Sequence, residues 1–375
     1  MDFEFTDDQM SLRDAVARWV EKGFSFDRRH KLAKDGGATR SVYGELAELG
    51  LAGLAVPEAH GGMGFGAIEA MVVCEELGRG LVNAPYAHAA LVAPALLAAA
   101  SADVQAAWLP RVASGDALVV LAHQEAGARY RLNQVSARAE QGIGGWRITG
   151  KKIVVPAGDE ADAFIVPARI SGGERDSAGI GLFLIEASAT QVRGYPTQDG
   201  ARAADVVLKD SAATLISSDG HAALERAVDI GIAAHCAEAV GAMDKLVAVT
   251  VEYMNTRKQF GATLASFQAL RHRMADVKMQ LELGRSMSYF ASLKLGEATP
   301  QRRRAIAQAR VQLGNSMRFV GTQCIQLHGG IGVTDEYVAS HYFKRLTMIE
   351  VGFGDSLHHL GEVSARMLDT AGVFA

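Results

Sequence analysis

Two segments in the C-terminal part of the chain carry residue types suited to a phosphate-bearing ligand. The first is Thr256-Arg257-Lys258-Gln259-Phe260-Gly261, followed by Ser266-Phe267-Gln268. Arg257 offers a planar fork of donors that matches phosphate oxygens. In the second, Gln326-Leu327-His328-Gly329-Gly330-Ile331-Gly332, Gly329 and Gly330 allow close approach to the backbone with no side chain in the way. Gln268 and Gln326 can donate or accept hydrogen bonds, and Phe260 can pack against a ligand. Each residue alone also has a plainer reading. Arg257 complements a helix dipole, the two glycines end a helix, and Phe260 and Phe267 are core.

The elements that must position these residues follow from pattern. Chains of 375 residues divide into two or three cores. A hydrophobic share of 49% with 21% charged is that of a soluble globular protein, and a net charge of -4 gives no reason to expect nucleic acid or an anionic membrane. Cys74, Cys236 and Cys324 lie far apart in apolar segments without C-x-x-C spacing. They are expected to be buried free thiols in a reducing compartment, with no metal site. Met1-Asp2-Phe3-Glu4 lacks the basic and apolar regions of a signal peptide, and the apolar run 89–100 is too short to span a bilayer. A cytoplasmic protein is expected.

Thr6 to Gln9 reads as a capping box opening a helix through Leu12, Val16 and Trp19. A second helix runs through Tyr43, Leu46 and Leu49, and a third over 67–77 is ended by Gly78. Short β-branched runs at 117–122, 146–155, 163–166, 180–185 and 206–208 predict a compact β-domain. Three long stripes follow: Val228 to Leu246, Phe267 to Leu281, and Ile306 to Cys324. They predict a bundle of long helices. The basic runs 271–273 and 302–304 read as solvated faces or ends.

This order of helices, strands and helices, with its motifs, resembles the acyl-CoA dehydrogenase family over nearly the whole chain. The segment 57–64 and Glu76-Leu77-Gly78 match its N-terminal part, and the two C-terminal segments match its R-x-x-F-G…F-Q and Q-x-x-G-G-x-G signatures. Within the family, 194–200, 236–243 and 341–348 are most similar to the small subunit of pimeloyl-CoA dehydrogenase. The resemblance implies an α+β fold: an N-terminal helical domain over 1–116, a central β-barrel-like domain over 117–215 and a C-terminal four-helix bundle over 216–375. It also implies FAD, contacted in a neighbouring subunit by Arg257, Phe260, Gln268, Gln326, Gly329 and Gly330. A dimer or tetramer follows. So do an acyl-CoA substrate and electron-transferring flavoprotein as electron acceptor.

The family's reaction removes a proton from Cα of an acyl thioester while hydride leaves Cβ for the flavin, and it requires a carboxylate base near Cα. The two places where the resemblance puts that base read Phe353 and Gly231. Glu350, Asp355 and Glu238 are nearby carboxylates that could substitute. Their plainer readings are exposed loop acids for the first two and a helix-face charge for Glu238. In the β-domain, 123–130 departs from the family's T-E-P-x-A-G-S-D, and Val154-Val155-Pro156-Ala157 departs from W-I-T-N. Hydroxyls and an aromatic that would face the flavin are lost. In a self-sufficient homomer with a rearranged flavin pocket, His123 and Arg129 could bind substrate, Arg129 being suited to the distal carboxylate of a dicarboxylyl thioester such as pimeloyl-CoA; its plainer reading is a solvated loop charge. The expectation is a small subunit that completes the FAD site of a larger catalytic partner. Alternatives are a self-sufficient homomer with a relocated base and a purely structural, non-catalytic partner subunit.

Overall fold

The computed structural model describes residues 5–367. Residue contacts group the chain into two compact units. One takes residues up to Arg29, Ala67–Val82 and everything from Ile232; the other takes His30–Gly66 and Asn83–Gly231. The N-terminal third is thus shared between two cores.

The helices are α1 (Asp7–Gly23), α2 (Phe26–Lys34), α3 (Arg40–Glu48), α4 (Ala67–Arg79), α5 (Ala93–Leu97), α6 (Ala102–Ala113), α7 (His221–Thr256), α8 (Gln268–Lys294), α9 (Thr299–His328), α10 (Val338–Val351) and α11 (Ser356–Ala365). Helix α1 opens on the expected box: Gln9 N–H donates to the Thr6 hydroxyl, and the Gln9 side chain accepts from Thr6 N–H. The run 89–100 forms a π-helical turn, Ala87–Val92, leading into α5. No described helix is long and apolar enough to cross a membrane.

In the first unit the expected stripes along α7 and α9 are buried, from Ile232 to Leu246 and from Ile306 to Cys324. The stripe on α8 is buried only at Val277 and Leu281. All three cysteines are buried and free. Gly78 does not end α4. A Cβ at Gly241 of α7 would lie 1.8 Å from the Glu75 carbonyl oxygen, and one at Gly78 would lie 2.0 Å from that of Glu238. The two helices therefore cross backbone on backbone, which only glycine allows. Charges ring the crossing. Arg79 pairs with Glu76 at 3.2 Å and with Asp244, and Arg285 pairs with Glu75 and, at 3.2 Å, Asp244. The run 302–304 is not a solvated face: Arg302 is buried and Arg303 pairs with Glu362.

In the second unit the strands are β1 (Val119–Leu121), β2 (Arg138–Gly142), β3 (Gly145–Pro156), β4 (Ala163–Arg169), β5 (Ile180–Glu186), β6 (Gln191–Pro196) and β7 (Arg202–Ser217). β2 pairs β3, β3 pairs β7, β7 pairs β5, and β5 returns to β4, which touches β2 at Arg169. The sheet thus closes on itself as a small barrel and leaves β6 on the flank of β7. β2 and β6 escaped the sequence reading because their faces are mostly exposed and polar. Replacing Gly241 with Ala will lower stability by about 3 kcal/mol or more, read by thermal unfolding, because its methyl meets backbone that cannot step aside.

Candidate functional site

Helix α7 ends at Thr256 and the chain turns at once into a hairpin, β8 (Lys258–Gln259) and β9 (Ala262–Thr263). Its two-residue tip is Phe260-Gly261, at φ +55° and +78°. Two positive φ values are what this turn requires, but its first position normally takes Asn, Asp or Gly. A phenylalanine there is strained by about 1 kcal/mol or more. Phe260 is also 89% exposed. It is therefore no core residue, and neither the strain nor the exposure is repaid within the chain. Its ring meets that of Phe267 at 6.3 Å, linking the hairpin to the start of α8.

Helix α8 begins at Gln268 with no side chain capping its first N–H groups. The positive end of a helix of 27 residues is thus open beside exposed Gln268, Arg271, His272 and Arg273. Helix α9 ends in Gly329 at φ +64°, and a Cβ at either Gly329 or Gly330 would meet nothing within 4 Å. Both glycines face open space. Buried His328 fixes this turn to the end of α7: its ring lies 4.6 Å from Tyr253 and 5.1 Å from Tyr337, and Nδ1–H donates to the Cys324 carbonyl at 2.8 Å. Burial lowers its pKa, so the ring is neutral. One turn beyond Tyr253, the Arg257 guanidinium is exposed and makes no hydrogen bond or ion pair among the described residues. The structure thus brings Arg257, Phe260 and Gln268 to one continuous edge and holds Gly329-Gly330 against the end of α7. Gln326 is exposed one turn before them. Free donors, an open backbone cradle and an uncapped helix start together fit a pyrophosphate-bearing cofactor.

Asp355 and Glu238 are engaged, and Glu350 is engaged through one carboxylate oxygen while the other is buried without a hydrogen bond among the described residues. Glu350 is no loop residue: it lies in the last turn of α10, and its carboxylate accepts from Ser356 N–H at 3.0 Å and Ser356 Oγ–H at 2.6 Å. Asp355 is the N-cap of α11 and accepts from His358 N–H at 2.8 Å. Glu238 is no solvated helix charge either, since Arg345 clamps it through two hydrogen bonds of 2.5 and 2.8 Å.

Between α10 and α11, Phe353 is only 7% exposed, at φ +57°, with its ring 5.1 Å from His235. Fully buried Arg310 holds this turn by donating to the carbonyls of Gly354 (3.2 Å), Gly352 (3.0 Å) and Ile349. His359 donates to the Phe353 carbonyl at 3.3 Å, and burial followed by the Arg310 charge pushes its pKa down to about 2. Gly231 is buried within α7. Arg310 went unnoticed in the sequence. The available signal was a cation four residues after Ile306 on an otherwise apolar stripe.

In the barrel, Lys152 is fully buried and donates to Glu125 at 2.6 Å and to the Pro167 carbonyl at 2.8 Å. Glu125 also accepts from Ser136 and Ala137 N–H. Burial raises the Glu125 pKa, but Lys152 and these donors outweigh it and leave the carboxyl below its ordinary value. Burial, then the Lys152 charge, brings His123 down to about 4, so it is neutral at pH 7. Arg129 is exposed, at φ +48°, on the same loop. Val154 also has positive φ, at a register shift between β3 and β7, as does Ala157 just beyond the end of β3. A β-branched residue there is a true outlier. Nearby, Asp205 accepts from Lys151 at 2.8 Å, from Tyr195 at 3.2 Å and from Val154 N–H.

The fold and this edge define a class. The chain belongs to the acyl-CoA dehydrogenase family. Residues 6–116 match the model of the acyl-CoA dehydrogenase N-terminal domain, and residues 218–368 that of the C-terminal domain. Acyl-CoA dehydrogenase IpdE2 of Mycobacterium tuberculosis is 31% identical over 90% of this chain and 91% of its own. The ChsE4-ChsE5 complex from the same organism contains a chain of similar structure, with TM-score 0.88 and 26% identity over 99% of this chain and all of that one. The FAD complex of PigA shares the fold at TM-score 0.86 and 21% identity, over 98% of this chain and 99% of that one. FAD is the family's cofactor, and flavin-dependent dehydrogenation of acyl-CoA is its reaction.

Replacing Lys152 with Met will strand Glu125 as an unpaired buried charge and cost about 3–5 kcal/mol. Adding Glu125→Gln will recover part of that loss, and the difference is read from a double-mutant cycle of denaturant midpoints.

Proposed function

We propose that this chain is the small subunit of a heteromeric acyl-CoA dehydrogenase and completes the FAD site of a larger, base-supplying partner. FAD supplies the two-electron oxidation of the Cα–Cβ bond of an acyl-CoA thioester. One contrast carries the reading. The Arg257 and Gly329-Gly330 edge is open and unspent, whereas the turn at Phe353 is filled by a buried aromatic and its neighbouring acids cap helices. Phe260 adds support, because a strained, exposed aromatic calls for a partner surface to cover it. The ChsE4-ChsE5 complex supports a two-chain assembly by likeness.

In this reading Arg257 grips the pyrophosphate, the glycines let phosphate reach backbone N–H groups, and Gln268 and Gln326 bond the ribose and adenine end. Electron-transferring flavoprotein takes the electrons onward. Purified alone, the chain should hold little flavin; co-expressed with its larger partner, the complex should show about one FAD per pair of chains. A yellow homomer with FAD on every chain and full activity would sink the proposal. Arg257→Ala in the complex should weaken FAD binding by about 10- to 100-fold, one charge-assisted hydrogen bond pair, as read by flavin fluorescence.

The substrate class we assign is a dicarboxylyl thioester such as pimeloyl-CoA. Arg129 supports it, since its guanidinium is exposed and unpaired among the described residues. Arg129→Ala should raise KM for pimeloyl-CoA roughly tenfold, the worth of one carboxylate contact, and leave KM for a monocarboxylic thioester of equal length unchanged. Equal effects on both substrates would rule this assignment out.

A further inference from the structure

The turn that carries Gly329 and Gly330 is held by a single imidazole packed from three sides. His328, the last residue of α9, is 3% exposed. Its ring lies against Tyr253 of α7 and against Tyr337, the residue before α10. On the third side, a Cβ at Gly332 would come within 2.8 Å of the His328 Cβ, so the segment after the glycines closes directly onto the histidine. A carbonyl only accepts, so the contact of Nδ1 with the Cys324 carbonyl fixes the proton on Nδ1. Nε2 is then a bare acceptor, buried with no hydrogen bond among the described residues. The next two residues, Gly329 and Gly330, are exposed.

A ring held in this way tolerates the neutral form and not the charged one. A second N–H, on Nε2, would be a buried donor carrying positive charge with no acceptor. The surrounding groups do not offset it. Tyr253 and Tyr337 present aromatic rings, and burial pushes the Cys324 thiol up to about 11. Exposed Glu252 acts on Tyr337, whereas on His328 only burial and the Cys324 carbonyl act, and burial, the larger, lowers its pKa. The packed ring thus contributes fully above the ordinary histidine value of about 6.5 and loses that contribution as pH falls below it, because the released ring takes up a proton and the packed one does not. We propose that His328 is the positioning residue of the cofactor edge: its neutral ring latches the Gly329-Gly330 turn to the end of α7, and protonation releases the latch and with it FAD. The latch rests on the cofactor reading given above. Exposed His272 at the start of α8 works in the opposite sense, since a protonated imidazole there attracts phosphate.

The test is the dissociation constant of the co-purified complex for FAD, read by flavin fluorescence at about pH 7.5 and about pH 5.5, either side of the ordinary histidine value. Circular dichroism checks that the fold persists at both. For the natural protein the constant should rise at least about threefold on acidification, and by no more than about tenfold per pH unit, the limit for one proton. His328→Phe keeps an aromatic ring beside the two tyrosines but has nothing to protonate, so its constant should stay level or fall slightly through His272. His328→Ala loses the ring and should bind FAD more weakly than the phenylalanine variant at both pH values. A merely structural histidine would weaken binding in the alanine variant too, but it would not make affinity follow pH. If His328→Phe does not fold, His328→Leu replaces it, with the same expectation of a level constant. A natural complex whose affinity is independent of pH overturns the proposal, as does a phenylalanine variant as pH-sensitive as the natural protein. Absence of flavin from the complex at the higher pH would refute the cofactor reading itself and the latch with it, so the two failures are distinguishable.

Discussion

Buried irregular backbone carries carbonyl oxygens that neither water nor a regular ladder can satisfy, and this protein meets that constraint with buried cations. Arg310 collects three carbonyls of the turn between α10 and α11. Arg169 collects four, those of Asp176, Ala178, Asn133 and Glu174, and so ties the loop after β4 to the segment before β2. Arg29 donates to the Leu81 carbonyl at 3.1 Å and to His341 at 2.8 Å. Lys152 does the same for Pro167 while holding Glu125. A guanidinium has five donors in a fixed fork, which explains why three of these four posts are arginines. Removing one would leave several acceptors orphaned at once.

With those segments fixed, strain can be kept where it is useful. Seven non-glycine residues have positive φ among the described residues, and five of them, Arg129, Val154, Ala157, Phe260 and Phe353, lie in the segments singled out for chemistry. Three of the five are backed by something rigid. Asp205 and Tyr195 brace Val154, Arg310 and His359 brace Phe353, and the hairpin braces Phe260. Strain concentrated in this way accompanies sites rather than scaffolds.

The functional picture rests on an asymmetry between two ends of the same helices. At the ends of α7 and α9, arginine, glutamines and glycines face solvent with their bonding capacity unspent. At the turn beyond α10, Glu350 and Asp355 accept from the start of α11, and the position facing His235 is aromatic. The small-subunit role proposed above requires this distribution. A purely structural subunit would have no use for the open edge.

How much of this was legible beforehand varies with the range of the interaction concerned. The capping box at Thr6, the stripes on α7 and α9, the strands rich in branched residues and the three buried cysteines are local or periodic signals. The chain displays them as they stand, together with the family its motifs resemble. The sequence could not show that Gly78 is a helix contact, that Glu350 and Asp355 are caps, that Arg302 is buried, or that polar β2 and β6 belong to the sheet. The capture of turn carbonyls by Arg310 was equally hidden. Those outcomes depend on which distant backbone comes within a few ångströms. By itself the sequence determined the elements with a periodic or capped signal, the family its motifs resemble and the chemistry those motifs offer, because these follow from residue type and spacing along the chain. Only the tertiary structure decided which charges are spent and which remain free, because hydrogen-bond partners and burial are set by neighbours in space.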